Sequence, residues 1–394
     1  MEVFQYYELS SLNDSVTDGA DNTSLLQVSI IVAANVSGDA DALAANDSDA
    51  LSRASSSASS SSSLYEVPVD IVVLLSFCYG LVSFVAILGN VLVLWIVASS
   101  RRMQTITNLF IANLAVADVI IGVFSIPFQF QAALLQRWAL PYFMCAFCPY
   151  VQVVSVNVSV FTLTAIAVER YRAITSPLKA RFCSKATAKL LVLIIWLSSL
   201  VVASPNALAL RVVLVVDKLS GLRERPFCVN AGMRPLTWKA YNHALVCVQY
   251  FLPLGVICYT YGRIWKKLRQ SKAPGNMETV RDANIVRNKN KVIKMMVIVV
   301  VTFALCWLPY QTYNLLAEIY PAINSYRYIN VIWFCMHWLA MSNSCYNPFI
   351  YAIYSEKFSA EFKARMSCCL KRKFEDSAFM ASSIISQVSF RIKY

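Results

Sequence analysis

Seven runs of apolar residues, each long enough to cross hydrocarbon, constrain this chain more than any other feature. A helix rises about 1.5 Å per residue, so about 20 consecutive apolar residues cover the core of a bilayer. The runs occupy residues 71–98, 109–135, 143–168, 190–210, 244–262, 295–317 and 328–354. Together they hold one carboxylate, Asp118, and one histidine, His337; every other charged side chain lies between or beyond them. The chain is 58% hydrophobic and 14% charged, against about 25% charged in a soluble domain. The expected fold is an all-α membrane protein, a seven-transmembrane-helix bundle.

The basic residues set the orientation. With the N-terminus outside, 26 of the 35 Lys/Arg fall on inner segments and nine on outer ones, the bias that cytoplasmic loops show. Eleven of the 22 acidic residues lie in the first 70 residues, beside a single basic one, Arg53. The net charge of +13 is therefore a topological signal and not a nucleic-acid patch; the inner loops are also suited to lipid-surface contact. Met1 to Ser10 lack a basic start and an apolar core, so no cleaved signal peptide is expected and the first span serves as its own signal.

Four segments follow. Residues 1–70 read as a disordered, glycosylated extracellular tail, polar and closed by the run Ser52–Ser63. Its sequons at Asn13, Asn22, Asn35 and Asn46 are glycan acceptors if exported; a fifth at Asn157 falls within a span and is discounted. Residues 71–354 form the seven-helix domain. Residues 355–370 read as a short interfacial eighth helix, because Phe358 and Phe362 recur four apart and Cys368 and Cys369 follow as palmitoylation sites. Residues 371–394 form a cytoplasmic tail, in which Ser377, Ser382, Ser383, Ser386 and Ser389 are candidate phosphorylation sites.

Polar groups inside the spans need partners, because lipid offers none. Asp118 in the second span lies at a depth comparable with Asn90, Ser159, Asn343, Ser344 and Asn347. These side chains form either a hydrated cage able to hold a sodium ion or a structural network joining helices; no other cofactor is expected. Glu169-Arg170-Tyr171 ends the third span, so Arg170 either snorkels to headgroups or faces a partner within the bundle. Pro309 and Pro348 each remove a backbone hydrogen bond and kink the sixth and seventh spans. Cys145 opens the third span on the outer side and Cys228 lies in the following outer loop, where oxidising conditions allow them to pair. Two histidines and scattered cysteines give no metal-ligand cluster.

These residues together resemble the rhodopsin-like G-protein-coupled receptors. The resemblance rests on Gly89-Asn90, Leu114 to Asp118, Cys145, Glu169-Arg170-Tyr171, Trp196, Pro253 with Tyr261, Cys306-Trp307-Leu308-Pro309, and Asn347-Pro348 with Tyr351. Glu169 stands where the family usually has Asp. Lys289 stands twenty residues before Pro309, near where many members carry an acid that clamps the span-three Arg, so that clamp is not expected. Gln152, seven residues after Cys145, replaces the Asp of amine receptors, and Met341 replaces the Schiff-base Lys of opsins. The long outer loop from Arg211 to Lys239 suits a peptide.

Longer stretches resemble the invertebrate kinin (leucokinin) receptors: Arg101 to Thr105, Phe128 to Trp138, Ser155 to Thr162, Ala273 to Asn276 and Trp338 to Pro348. Tachykinin-type receptors share some of this. The resemblance implies a short amidated neuropeptide ending in Trp-Gly-amide, and G proteins of the class that activates phospholipase C and releases calcium. Candidate pocket residues are Gln129, Gln152, Tyr310, Gln311, Asn314, Trp333 and His337: neutral amides for a terminal carboxamide, aromatic rings for a ligand Trp or Phe. Each Gln is equally suited to an interhelical hydrogen bond, and His337 to a buried neutral imidazole. The family's switch maps onto Asp118, Ser159, Glu169, Arg170, Tyr171, Tyr261, Phe303, Trp307, Pro309, Asn343, Asn347, Pro348 and Tyr351. A transporter would need more intramembrane charge and a repeat, and an aspartyl enzyme a second buried carboxylate.

Overall fold

The computed structural model describes residues 68–135, 137–175, 184–217, 223–271, 280–326, 328–365 and 367. All statements below concern these residues. The sequons of the N-terminal tail, Cys368 and Cys369, and the tail serines lie outside them.

Helix α1 spans Val69–Ser99 and α2 Ile106–Leu135. Helix α3 spans Tyr142–Thr175, α4 Lys185–Ala209 and α6 Val280–Ile319. Helix α5 runs through Pro235–Val246, Cys247–Phe251 and Leu252–Ser271, and α7 spans Ile329–Tyr354. The starts follow local chemistry. Thr105 Oγ1 accepts from the Asn108 amide at 3.3 Å and Ser184 Oγ from the Thr187 amide at 3.1 Å, each supplying an acceptor for a first-turn N–H. Pro235 opens α5, where its missing N–H costs nothing.

Two helices carry a wide π-type turn, Ile121–Ser125 in α2 and Cys247–Phe251 in α5. Pro127 and Pro253 each follow two residues later. A helical proline clashes with the carbonyl four residues back; those carbonyls belong to Val123 and Gln249, inside the wide turns. The extra residue relieves the clash and rotates the outer half of each helix.

Six helices, α1 to α6, meet the length and apolarity needed to cross a membrane. The seventh, α7, is 26 residues long but more polar. Its polar residues His337, Ser342, Asn343, Ser344 and Asn347 are all buried, so they face protein and not lipid. The lipid-facing surface is plain on α1, where Val73, Phe77, Leu81, Phe84, Leu88, Val91 and Trp95 stand exposed at helical spacing. An apolar stripe that long is excluded from a water-facing surface and fits hydrocarbon.

Helix α3 runs through the bundle, packed against α2, α4 and α5; α1 packs on α2 and α7, and α7 on α6. Gly89 lets α1 approach α7 closely, since a Cβ there would stand 2.9 Å from Pro348 Cγ.

Three expectations need correction. The run at 190–210 begins earlier, at Lys185, and Leu210 already belongs to a strand. Helices α5 and α6 extend far beyond 244–262 and 295–317, because their polar ends continue in water. The loop after α4 is a β-hairpin, β1 Leu210–Asp217 paired antiparallel with β2 Arg223–Asn230, with Val212 opposite Cys228. The β-branched run Val212 to Val216 favours extended backbone, and the pairing makes a two-stranded ribbon.

Residues 356–365 form helix α8. Phe358 is buried and stacks on Tyr351, ring centroids 5.5 Å apart, and Phe362 follows at 6.3 Å. Arg365 joins Glu361 and Ser99 and lies 5.0 Å over the Trp95 ring. Arg365 and the Ser100 hydroxyl hold the Glu361 carboxyl below its ordinary value. Helix α8 is thus anchored to the inner end of α1.

Candidate functional site

The outer half of the bundle holds an aromatic cage. His337 lies buried at its centre, stacked on Trp333 at 4.7 Å and met edge-on by Tyr310 at 5.6 Å. Tyr79 of α1 donates to the Phe334 carbonyl at 2.9 Å and lies 3.0 Å from His337 Nδ1. Phe130 of α2 stacks on Tyr79 at 4.4 Å. Of the sequence candidates, the structure brings Tyr310, Trp333 and His337 together here. Tyr79, Phe130 and Phe334 join them without having been singled out, since aromatic residues in spans carry no signal until helix facing is known.

Gln129 is buried in α2, one residue before Phe130, and its Nε2 has no partner among the described residues. It lines a small cavity with Ala132, Ala133, Arg137, Trp138, Phe227 and Cys228. Gln311 is buried, Gln152 half-buried, and Asn314 Oδ1 finds no partner among the described residues. The Cys145–Cys228 disulfide, Cα atoms 5.5 Å apart, ties β2 to the outer end of α3. Trp138 locks the hairpin down further, its backbone N–H donating to the Pro226 carbonyl at 2.6 Å.

Below the cage runs an aromatic column. Tyr310 meets Trp307 at 6.2 Å, Trp307 meets Phe303 at 6.0 Å, and Phe303 meets Tyr250 of α5 at 6.4 Å. Pro309 sits between Tyr310 and Trp307 on α6, so the kink and the column share one turn.

At mid-depth Asn347 Nδ2 donates to Asp118 Oδ2 at 2.9 Å. Asn90 Nδ2 donates to the Ala86 and Ser344 carbonyls, 2.9 Å each. Asn343 is also buried. Asp118 Oδ1, Ser155 Oγ and Ser159 Oγ are buried without partners among the described residues. Asp118 thus has one carboxylate oxygen left for a further donor or a hard cation; Ser155 and Ser159 lie one turn apart on α3. A separate node centres on Asn113, which donates to Thr162 Oγ1 at 2.7 Å and accepts from Trp196 Nε1 at 2.8 Å.

At the inner end Arg170 turns into the bundle. Its Nε donates to Glu169 Oε2 at 2.7 Å and its guanidinium also meets Thr107 Oγ1 of α2. Tyr171 follows on α3, half-buried, and Tyr261 of α5 packs against the core within electrostatic reach of Arg170. Tyr351, three residues after Pro348, is buried against Phe358. The inner end of α6 is tied elsewhere: Lys291 pairs with Glu356, and Lys294 lies 5.6 Å over the Tyr354 ring. The side chain of Lys289 lies outside the described residues.

Comparison with known proteins agrees with this geometry. The chain is 36% identical over 327 residues to the Tachykinin-like peptides receptor 99D of Drosophila melanogaster, covering 82% of this chain and 62% of that receptor. It is 36% identical over 299 residues to the Neuromedin-K receptor of Rattus norvegicus, covering 76% of this chain and 64% of that receptor. It is 34% identical over 311 residues to the Substance-P receptor of Meriones unguiculatus, covering 79% and 75%. The chain thus spans less than two thirds of the length of the first two. Residues 89–351 match the family model described as 7 transmembrane receptor (rhodopsin family). With seven packed helices, the inward Arg170, the Asp118–Asn347 pair and the Pro309 and Pro348 kinks in place, this chain belongs to the rhodopsin family of seven-transmembrane receptors.

Proposed function

We propose that this receptor binds a short, C-terminally amidated neuropeptide at the outer cage and passes the signal to a heterotrimeric G protein. The observation that carries the reading is the 36% identity, over 82% of this chain, to a receptor named for tachykinin-like peptides. Chemical support comes from the aromatic faces of Trp333, Tyr310 and Phe130, and from Gln129 nearby in sequence, whose Nε2 has no partner among the described residues. A charged ammonium would find no carboxylate among the cage residues named above.

The tachykinin type is favoured over the kinin type by the names of the relatives. The kinin type remains as a second reading on the stretches from Phe128 to Trp138 and from Trp338 to Pro348. In either case the peptide lies under the disulfide-bound hairpin and biases two bundle conformations. The G protein is of the class that activates phospholipase C, the N-terminal tail is outside, and receptor kinases and arrestin act on the C-terminal tail. The receptor resides in the plasma membrane, and a sodium ion at Asp118 stabilises the resting bundle.

The test is a calcium assay on cells expressing the chain, with synthetic amidated peptides of tachykinin and kinin type and their free acids. A calcium rise to one amidated class, absent in untransfected cells, is expected. Silence to both classes, with the receptor present at the cell surface, contradicts the proposal.

A further inference from the structure

The hydrogen bonds around Tyr79 fix more than a contact. The Tyr79 hydroxyl has one proton and faces two groups, the Phe334 carbonyl at 2.9 Å and His337 Nδ1 at 3.0 Å. A carbonyl only accepts, so the hydroxyl proton goes to Phe334. Both contacts are then satisfied only if Nδ1 carries the imidazole proton and donates to the Tyr79 oxygen. The reverse assignment sets two lone pairs against each other at 2.9 Å. A neutral imidazole protonated at Nδ1 has a bare lone pair at Nε2. His337 is 1% exposed, and Nε2 is buried without a partner among the described residues.

We infer that His337 Nε2 is an acceptor reserved for an N–H donor of the ligand, and that Tyr79 is the positioning residue that sets its tautomer. The inference rests on the peptide-receptor reading above and assigns its chemistry to one atom. The donor class is an uncharged N–H: a terminal carboxamide supplies one, whereas a free carboxylate brings lone pairs against a lone pair. Amidation is thereby read at α7, with α1 holding the reader in register. Trp333 stacks on the imidazole and Tyr310 meets it edge-on, so a donor docking at this ring bears on both. Tyr310 rests on Trp307; occupancy of the acceptor therefore shifts the top of the aromatic column that leads to Phe303.

The chain has two histidines, which makes a direct test practical. The full chain, purified in lipid nanodiscs with 15N-histidine, is measured by nitrogen NMR, and His243→Gln assigns the His337 signals. The expected spectrum of the peptide-free receptor shows a protonated Nδ1 and an unprotonated Nε2 at His337. Tyr79→Phe, which keeps the ring stacked on Phe130, is expected to mix the two tautomers. The amidated peptide that evokes calcium is expected to move the Nε2 resonance, and its free acid to leave it in place. In cells, the potency advantage of amide over acid is expected to fall at least tenfold in His337→Leu, less in His337→Gln, whose carbonyl retains an acceptor, and about twofold in Tyr79→Phe if half the imidazoles keep the competent tautomer. A protonated Nε2 in the unmodified receptor, or an amide preference unchanged in His337→Leu, overturns the inference. Silence to every peptide with the Nδ1 tautomer intact overturns the peptide reading instead.

Discussion

Asn113 shows how a single side chain is weighed in this molecule. Its amide bonds Thr162 of α3 and Trp196 of α4, so three helices meet at one group. Interhelical hydrogen bonds in membranes contribute about 0.6 to 2 kcal/mol each. Asn113→Ala strands the Trp196 N–H, and a loss of about 1–2 kcal/mol is expected, read as a lower melting temperature of the solubilised receptor; an unchanged melting temperature would remove Asn113 from the stabilising network. At Asp118 the sodium proposal predicts that NaCl raises the melting temperature more than choline chloride does, and that Asp118→Asn abolishes the difference. Equal stabilisation of wild type by both salts contradicts it. At Arg170 the prediction separates binding from signalling: Arg170→Ala is expected to abolish the calcium response and leave radiolabelled peptide binding measurable. Asp118 and Arg170 are legible in the sequence because charged residues are rare within and at the ends of membrane spans, and Trp307 because it stands beside Pro309 in a motif of fixed spacing. Tyr79, Phe130, Ser155 and Thr107 are not. Aromatic and hydroxyl residues are common in spans, and only the rotation of each helix shows which ones converge.

Helices meet through shapes as well as bonds. Gly89 faces Pro348 at a separation that no Cβ tolerates, so the α1–α7 contact depends on an absent side chain. Gly89→Ala is expected to push α7 outward and destabilise the receptor by about 1–3 kcal/mol, the usual cost of overpacking; a thermal melt checks it, and an unshifted melt places the contact elsewhere. The existence of each helix was legible from apolar length. The ends were less so: α5 and α6 continue into polar sequence that a hydropathy argument cannot follow, and the wide turns before Pro127 and Pro253 arise from a backbone clash that the apolar pattern does not register. The hairpin over the mouth is not legible as paired strands, since it is held by the Cys145–Cys228 tether and by the Trp138 contact with Pro226, both distant in sequence.

Taken whole, the bundle carries an aromatic cage and column in its outer half, a polar pair at Asp118 and Asn347 at mid-depth, and a charged cluster at its inner end. The cage around His337 closes the outer end, and Arg170 with Glu169 and Thr107 closes the inner end. The inner end of α6 is held by Lys291–Glu356 and Lys294–Tyr354, contacts that are half-exposed and weak. Contacts of that kind cost little to break. A ligand that turns such a receptor from about 1% to about 99% open must bind the open form about 10⁴-fold more tightly, and the proposed displacement of Tyr310 and Trp307 is where that difference arises. If peptide at the outer cage opens the bundle as proposed, α6 moves away from α3 at the cytoplasmic face. The most direct measurement is the distance between spin labels carried by non-natural residues at Arg172 on α3 and Lys294 on α6, in the purified receptor with and without the activating peptide. A longer distance is expected with peptide and no change with its free acid. A distance unchanged by a peptide that evokes calcium in cells would contradict it.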